Sequence, residues 1–344
     1  MKLTQHLLQN KKPILSLLLL GLLLAVVLLS GCTSQQENTI RISGAYALAP
    51  MMNKWVEEYN TTHPDIHIIV QPNGAGQGMS EAINKIVNIG MVSREINQSE
   101  MQQGAFWVSV AKDAVVATIN TENPVVDYIL AHGLTMQQFK DIFITRNTTT
   151  WGTLIGNESI TDLIVVYSRS DSCGAAETWA KYLGNYKQND LTNVADSAIY
   201  GDDGLAEQIK RDKNGIGFNN IGYVYTKTSG TTTVPADNII PVPIDLNENG
   251  VLDDNENVYT NRSTIVQAIN DYVYPSPPAR ALHLVTYHNF TGITKDFVYW
   301  ILTEGQQYVL ETGYIPLPQE TISDQLTYLE QGTRPEIESL PPTK

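Results

Sequence analysis

From residue 39 onward the chain alternates short apolar runs with amphipathic stretches. "TIRIS" (39–43) has the alternating period of a half-buried strand, and "MMNKWVEEYNTTHP" (51–64) carries apolar residues at helical spacing until Pro64. "DIHIIVQP" (65–72) predicts a second strand, "SEAINKIV" (80–87) a helix and "NIGMVS" (88–93) a third strand. Strands separated by helices in this order predict a parallel sheet with crossover helices. Trp107–Val125 supplies more strand, with its exit near Pro124. A second α/β block follows. Its helices fall in "TMQQFKDIF" (135–143), "GAAETWAKYL" (174–183) and "DGLAEQIKRD" (203–212), its strands in "LIVVYSR" (163–169) and "GIGFNNIGYVY" (215–225). A strand in "ALHLVTYHN" (281–289) and one long helix from Ile293, ended by Gly313, close the pattern. No repeat of solenoid period interrupts it.

The first 32 residues obey a different rule. Lys2, Lys11 and Lys12 precede an apolar run from Pro13 to Leu29 that ends in Leu-Ser-Gly-Cys, the three-part layout of an export signal. That ending looks like a lipobox, which makes residues 1–31 a signal peptide, Cys32 the lipidated first residue of the mature lipoprotein, and 32–39 a tether. An uncleaved membrane anchor is the alternative, since the run approaches spanning length. Both readings place the protein outside the cytoplasm, anchored to the outer face of the cell membrane. Composition then narrows the classes. A hydrophobic share of 42% with 17% charged residues suits a folded protein of 344 residues. The net charge of −14, or −17 once the three lysines of the signal leave, argues against a nucleic-acid partner. Two cysteines, Cys32 and Cys173, provide no disulfide framework. Six Asn-x-Ser/Thr triplets, at Asn60, Asn97, Asn147, Asn157, Asn261 and Asn289, are glycosylation sequons by pattern alone.

Three turns share one design: a strand ends, small residues follow, a helix begins. They are 44–48, 74–78 and 169–175. Small residues let backbone N–H groups approach a ligand, and each helix start adds partial positive charge. Ser93-Arg94 ends a further strand. Neighbouring parallel strands deliver such ends to one crevice, so the pattern predicts an oxyanion site.

These stretches carry a family resemblance. "ISGAYALAPMMNKWVEEY", "NGAGQGMSEAINKIVNIGMVSREI", "SRSDSCGAAETW", "GDDGLAEQIKRDKNGIGFNNIGYVY" and "ILTEGQQYVLETGYIPL" occur in the order found in the substrate-binding lipoproteins of phosphate ABC importers. The chain resembles that family, a branch of the type II periplasmic-binding-protein fold. The resemblance implies an α/β protein of two lobes joined by two crossover strands, near 114–120 and 216–226, with ligand in the cleft. Lobe 1 would be 40–117 and 225–340, and lobe 2 would be 118–224. Ligand positions carried over are Ala45, Tyr46, Ala75, Gly76, Gln77, Ser93, Arg94, Arg169, Asp171, Cys173, Gly174 and Ala175. Several family hydroxyls are missing: Ala45, Tyr46 and Ala47, then Ala75 and Gln77, then Cys173 and Ala175 stand in their places. Arg169 and Arg94 can each fork two N–H groups onto an oxyanion. Asp171 would orient Arg169 or accept the proton of HPO₄²⁻. Some members carry a carboxylate after the strand-ending Ser. Here that position is Arg94, so the filter is absent or moved to Asp171. A nucleophilic role for Cys173 at its helix start is the enzymatic alternative, disfavoured against a Ser-to-Cys replacement in a binding turn.

One motif lies outside the resemblance. "DLNENGVLDDNE" (245–256) fits D-x-[DN]-x-[DN]-G-x₅-E at every position. Asp245, Asn247, Asn249, the Val251 carbonyl, Asp253 and Glu256 would supply hard oxygen ligands to a structural Ca²⁺, as an insertion without clear flanking helices. The expectation is therefore a monomeric, non-enzymatic, extracytoplasmic solute-binding protein. It would bind phosphate or another oxyanion such as sulfate, molybdate, tungstate or a small organic anion, and deliver it to ABC permease subunits. The alternative is a tethered oxyanion sensor or surface-interaction protein that keeps the fold without import.

Overall fold

The computed structural model describes residues 38–184, 186–227 and 233–339, so the export segment and Cys32 lie outside the described residues. The unit Met1–Thr39 falls almost wholly outside that range, and the fold belongs to the unit that starts at Ile40. The chain begins with β1 (Thr39–Gly44), α1 (Ala49–Thr62), β2 (His67–Pro72), α2 (Ala75–Ile83), β3 (Ile89–Val92), α3 (Gln98–Gln102) and β4 (Ala105–Ile119). It continues with α4 (Val126–His132), α5 (Met136–Phe143), α6 (Trp151–Ile155), β5 (Val165–Arg169), α7 (Gly174–Tyr182) and α8 (Gln188–Val194). Next come β6 (Ser197–Ile199), α9 (Asp202–Arg211), β7 (Gly215–Asn220), β8 (Tyr225–Lys227), β9 (Thr233–Pro235), β10 (Ile240–Pro241) and α10 (Arg262–Asn270). The last elements are β11 (Ala279–Tyr287), α11 (Gly292–Leu302), α12 (Gln307–Glu311), α13 (Gln319–Gln331) and α14 (Pro335–Glu338).

Strand β4 belongs to two sheets. Its residues 105–114 pair with β11, and 115–119 pair with β7. The full order is β2-β1-β3-β11-β4-β7-β5-β6, with β10 added beside the end of β4. The parallel pairing expected from the strand–helix alternation holds for β1 with β3 and for β5 with β6 and β7. Strands β4 and β11, which link the two halves, run antiparallel to their neighbours. One β-bulge interrupts β4: Ser109 faces His283 and Ala111 faces Leu282, leaving Val110 without a partner residue.

Two apolar cores sit on the two ends of β4. Val108, Val110 and Ala111 join a core with Ile42, Trp55, Leu284, Phe297 and Val309. Val115, Val116 and Ile119 join another with Phe139, Trp151, Trp179 and Phe218. This second core also holds Val242, Ile244, Tyr259, Ile265, Ile269 and Tyr274. Residues 236–278 therefore pack with the second lobe, not the first as expected from the sequence. The return crossing is β11, and 216–226 instead forms β7 beside β4 and the turn after it. The apolar residues of 240–274 look alike whichever core they enter, so only tertiary packing fixes the boundary.

Two further elements differ from the sequence reading. Helix α2 begins at Ala75, inside the Gly-rich stretch expected to be a turn. Gly78 packs directly on β1, where a Cβ would lie 2.5 Å from the Gly44 Cα and 2.8 Å from the Ser43 carbonyl oxygen. Here glycine serves close helix–strand approach. The long terminal helix is broken after Leu302 by a 3₁₀ turn at Glu304–Gln306. The break offers the Gly305 carbonyl to Trp55 Nε1, 2.9 Å away in the first core.

Candidate functional site

Six strand ends and the segments after them converge between the lobes. Ala45, Tyr46, Ala47, Gly74, Ala75 and Ser93 come from the first lobe; Arg169, Asp171, Cys173, Gly174, Ala175, Asp202 and Asn220 come from the second. Together they line a small cavity of about 10 Å³. The lobes meet around it: Tyr223 Oη donates to the Tyr46 carbonyl at 2.9 Å, and the Gly76 N–H donates to the Ser172 carbonyl at 3.3 Å. Lys181 also pairs with Glu95 from lobe to lobe, at 2.6 Å. A Cβ on Gly174 would lie 2.3 Å from Ser93 Oγ, so glycine is required for this approach. Gly74 is required twice over, by its φ of +102° and by the Ser172 carbonyl 2.7 Å from where a Cβ would stand.

Arg169 is the central charge, 1% exposed. Its Nε and Nη2 donate to the two carboxylate oxygens of Asp171 at 2.8 and 2.7 Å. The fork expected to grip the ligand is therefore spent on Asp171. Nη1 lies 2.9 Å from Asp202 Oδ2, at an angle that makes no hydrogen bond, and is the guanidinium nitrogen left for a ligand. Burial works against the charge of Arg169, and Asp202 together with Asp171 outweighs it, so the group's pKa is raised and it stays protonated. Asp171 is fully used, its Oδ1 also accepting the Gly201 N–H at 3.1 Å. Asp202 Oδ1 accepts from Asn220 Nδ2 at 2.8 Å. Gln188 braces the turn from behind: its amide donates to the Asp171 carbonyl at 2.6 Å, and its Oε1 accepts the Cys173 N–H at 2.9 Å.

Backbone donors complete the wall. Ala75 opens α2, and Gly174 and Ala175 open α7; N–H groups in a first helical turn have no acceptor within their own helix. Cys173 is buried in the second core, and burial pushes its thiol up to about 12. A thiol held neutral in this way is no nucleophile.

Of the residues expected from the sequence, Ala45, Tyr46, Ala75, Ser93, Arg169, Asp171, Cys173, Gly174 and Ala175 meet at the cavity. Gly76 stands beside it as an interlobe contact. Gln77 is exposed and turned to Glu81 at 2.7 Å. Arg94 is also outside: it forms a bidentate pair with Glu100, at 2.9 and 2.6 Å, and lines a separate groove with Lys181, Arg280 and His283. Asp202, Asn220 and Gln188 were not anticipated. For Asp202 a signal existed, because "YGDDGLAEQI" (200–209) repeats the strand–small turn–helix design of the other three turns. The loop 245–256 shares no residue with the cavity wall. Among the described residues no three His, Cys, Asp or Glu side chains converge closely enough to hold a metal.

The architecture is shared with known proteins. The phosphate-binding protein PstS of Pseudomonas aeruginosa is 25% identical over 296 residues, covering 80% of this chain and 82% of that one. The phosphate-binding protein PstS of Methanocaldococcus jannaschii is 24% identical over 373 residues, covering 90% and 93%. A solved structure from Clostridium perfringens, described as that of a phosphate ABC transporter substrate-binding protein with bound phosphate, aligns with a TM-score of 0.66 and 26% identity. It covers 82% of this chain and all of its own. An ABC-type phosphate transport receptor from Vibrio cholerae shares the fold, with a TM-score of 0.58 and 22% identity over 81% of this chain and all of its own. The family model for a PBP superfamily domain matches residues 32–304, so the chain belongs to the PBP superfamily.

Proposed function

We propose that this protein is the solute-binding component of a phosphate ABC importer, an extracytoplasmic lipoprotein tethered through Cys32. It closes on phosphate between its lobes and presents it to permease subunits, with no catalytic role. The observation that carries the reading is the buried Arg169, whose Nη1 has no hydrogen-bond partner and faces a small cavity rimmed by helix-start N–H groups. At about 10 Å³ the cavity is far below an organic ligand's ordinary pocket size, roughly 300–1,000 Å³, and would take even a small inorganic anion only as the lobes part around it.

The charges refine the choice of anion. One cation faces two carboxylates, Asp171 and Asp202, which disfavours a fully ionised tetrahedral dianion such as sulfate. Phosphate keeps a proton at neutral pH and can donate it. Asp171 has both oxygens engaged, so Asp202 Oδ2 is the acceptor we assign to that proton. This restores, from α9, the carboxylate filter that the Arg94 position lacks. The relatives named for phosphate binding support the same ligand. Isothermal titration of the mature chain against phosphate, sulfate, molybdate and tungstate tests the reading. Heat with phosphate, and little with sulfate, is expected; no heat with any oxyanion overturns it.

A further inference from the structure

We propose that residues 245–256 form a Ca²⁺ site that fastens the outer wall of the second lobe, independently of the cleft. Asp245 and Glu256 are 2% and 3% exposed, yet among the described residues no Lys, Arg or His pairs with either. Asp245 Oδ2 accepts the Gly250 N–H at 2.8 Å, while its Oδ1, buried beside it in the loop, has no partner at all. Glu256 is drawn inward by the N–H groups of Leu246, Asn247 and Asp253, at 3.0, 3.2 and 3.3 Å. Buried carboxylates are costly unless paired or bound to metal. Two of them, with Asp253 nearby and no cation, leave a charge that a divalent ion would compensate.

The loop is shaped to bring its oxygens together. Gly250 has a φ of +79°, giving the sharp turn at the sixth position. Asn247 Oδ1 and Asn249 Oδ1 each accept the N–H two residues on, at 3.0 and 2.8 Å. Asp253 is turned to the amides of Asn247 and Asn249, at 2.7 and 3.0 Å, so the acids do not yet surround a common point. Binding would release Asp253 and swing those amide oxygens inward. An all-oxygen set of six donors closed by a carboxylate at the twelfth position selects a hard cation, and its pliable geometry favours Ca²⁺ over Mg²⁺.

What the ion would fasten is visible at the loop's edges. The Asp245 N–H donates to the Leu134 carbonyl at 3.0 Å, and the Leu252 N–H to the Ala131 carbonyl at 3.2 Å. The Ile244 N–H donates to Tyr259 Oη at 3.1 Å. These bonds pin the loop to the connection between α4 and α5, and to the second core through Tyr259.

The test uses thermal unfolding and calorimetric titration of the full-length protein stripped with EDTA, adding CaCl₂ or MgCl₂. Ca²⁺ at about ten times its Kd should raise the unfolding midpoint by about 2–4 °C. Mg²⁺ at the same concentration should raise it by less than half as much. Glu256→Gln and, on the loop's exposed side, Asp253→Asn should each weaken Ca²⁺ binding by about tenfold or more, with phosphate affinity unchanged. The idea is overturned if about 10 mM Ca²⁺ produces neither heat nor shift, well above the range expected of extracellular modules. Equal shifts with Mg²⁺, or undiminished shifts in both variants, would overturn it as well. Phosphate titration of the same samples reads the cleft separately, so failure of one site does not imply failure of the other.

Discussion

The same dipeptide follows one strand of this protein and ends another, and the two arginines have opposite fates. After β3 come Ser93 and Arg94; at the end of β5 stand Ser168 and Arg169. At the first, Ser93 faces the cavity and Arg94 turns out to Glu100. At the second, Arg169 faces the cavity and Ser168 is buried on the other side, its Oγ without a hydrogen-bond partner. Side chains alternate across a strand, so a one-residue difference in phase decides which of a neighbouring pair looks inward. Surroundings then fix the role. Arg169 meets two buried carboxylates that keep it charged out of water, whereas Arg94 finds one partly exposed acid on a five-residue helix.

The sharpest test removes the inward arginine. Arg169→Ala should abolish phosphate binding in calorimetry. It also strands two buried carboxylates, so chemical denaturation should show roughly 3–5 kcal/mol of lost stability. Retained affinity would break the comparison outright. Asp202→Asn should cost about tenfold in phosphate affinity and narrow the preference over sulfate, because the acceptor for the ligand's proton is weakened. Competition titration at pH 7 reads both. An unchanged phosphate-to-sulfate ratio would return that role to another group.

A third test concerns β11, which lies between β3 and β4. His283 pairs in register with Val92 and is buried with its Nδ1 3.0 Å from Ser109 Oγ. Burial, with help from Arg334 and Arg94, pulls its pKa down to about 3. The folded state thus holds the ring neutral between about pH 6.5 and 3, while the unfolded chain takes up a proton. Stability from this group is present above pH 6.5 and lost as pH falls, by up to about 1.4 kcal/mol per pH unit. Urea unfolding of His283→Gln from pH 7 to 4 should show a flatter profile than the parent. The mildest expectation belongs to the outward arginine. Arg94→Ala should change phosphate affinity less than about twofold and stability by no more than about 1 kcal/mol. A larger loss of affinity would show that Arg94 reaches the ligand after all.

The same logic governs how much of the molecule could be read from the chain. Turns are local, so the three helix starts, Arg169 and Asp171 were legible from residues next to one another. Phase and partners are not local. Arg94 looked equivalent to Arg169 because the pleat is not written in the dipeptide, and Asp202 meets Arg169 only after β6 has brought α9 alongside. Glycines misled in one place: Gly76 and Gly78 read as a loop, but they lie inside α2, where Gly78 lets the helix press on β1. The second lobe's claim on 236–278 was hidden because apolar residues at helical or strand spacing do not say which core they enter.

The unpaired Val110 gives β4 a mechanical character. A strand shared by two sheets behaves as a leaf spring: it resists stretching and sliding, and yields to bending. Bending is easiest where the ladder already lacks a rung, beside the boundary between the two cores. With β4 and β11 side by side, twisting is resisted too. Any motion between the halves would then be mainly a change of angle about this crease. One distance between a point near Gly76 and a point near Ser172, which touch here, would report that angle as a pointer reports a dial.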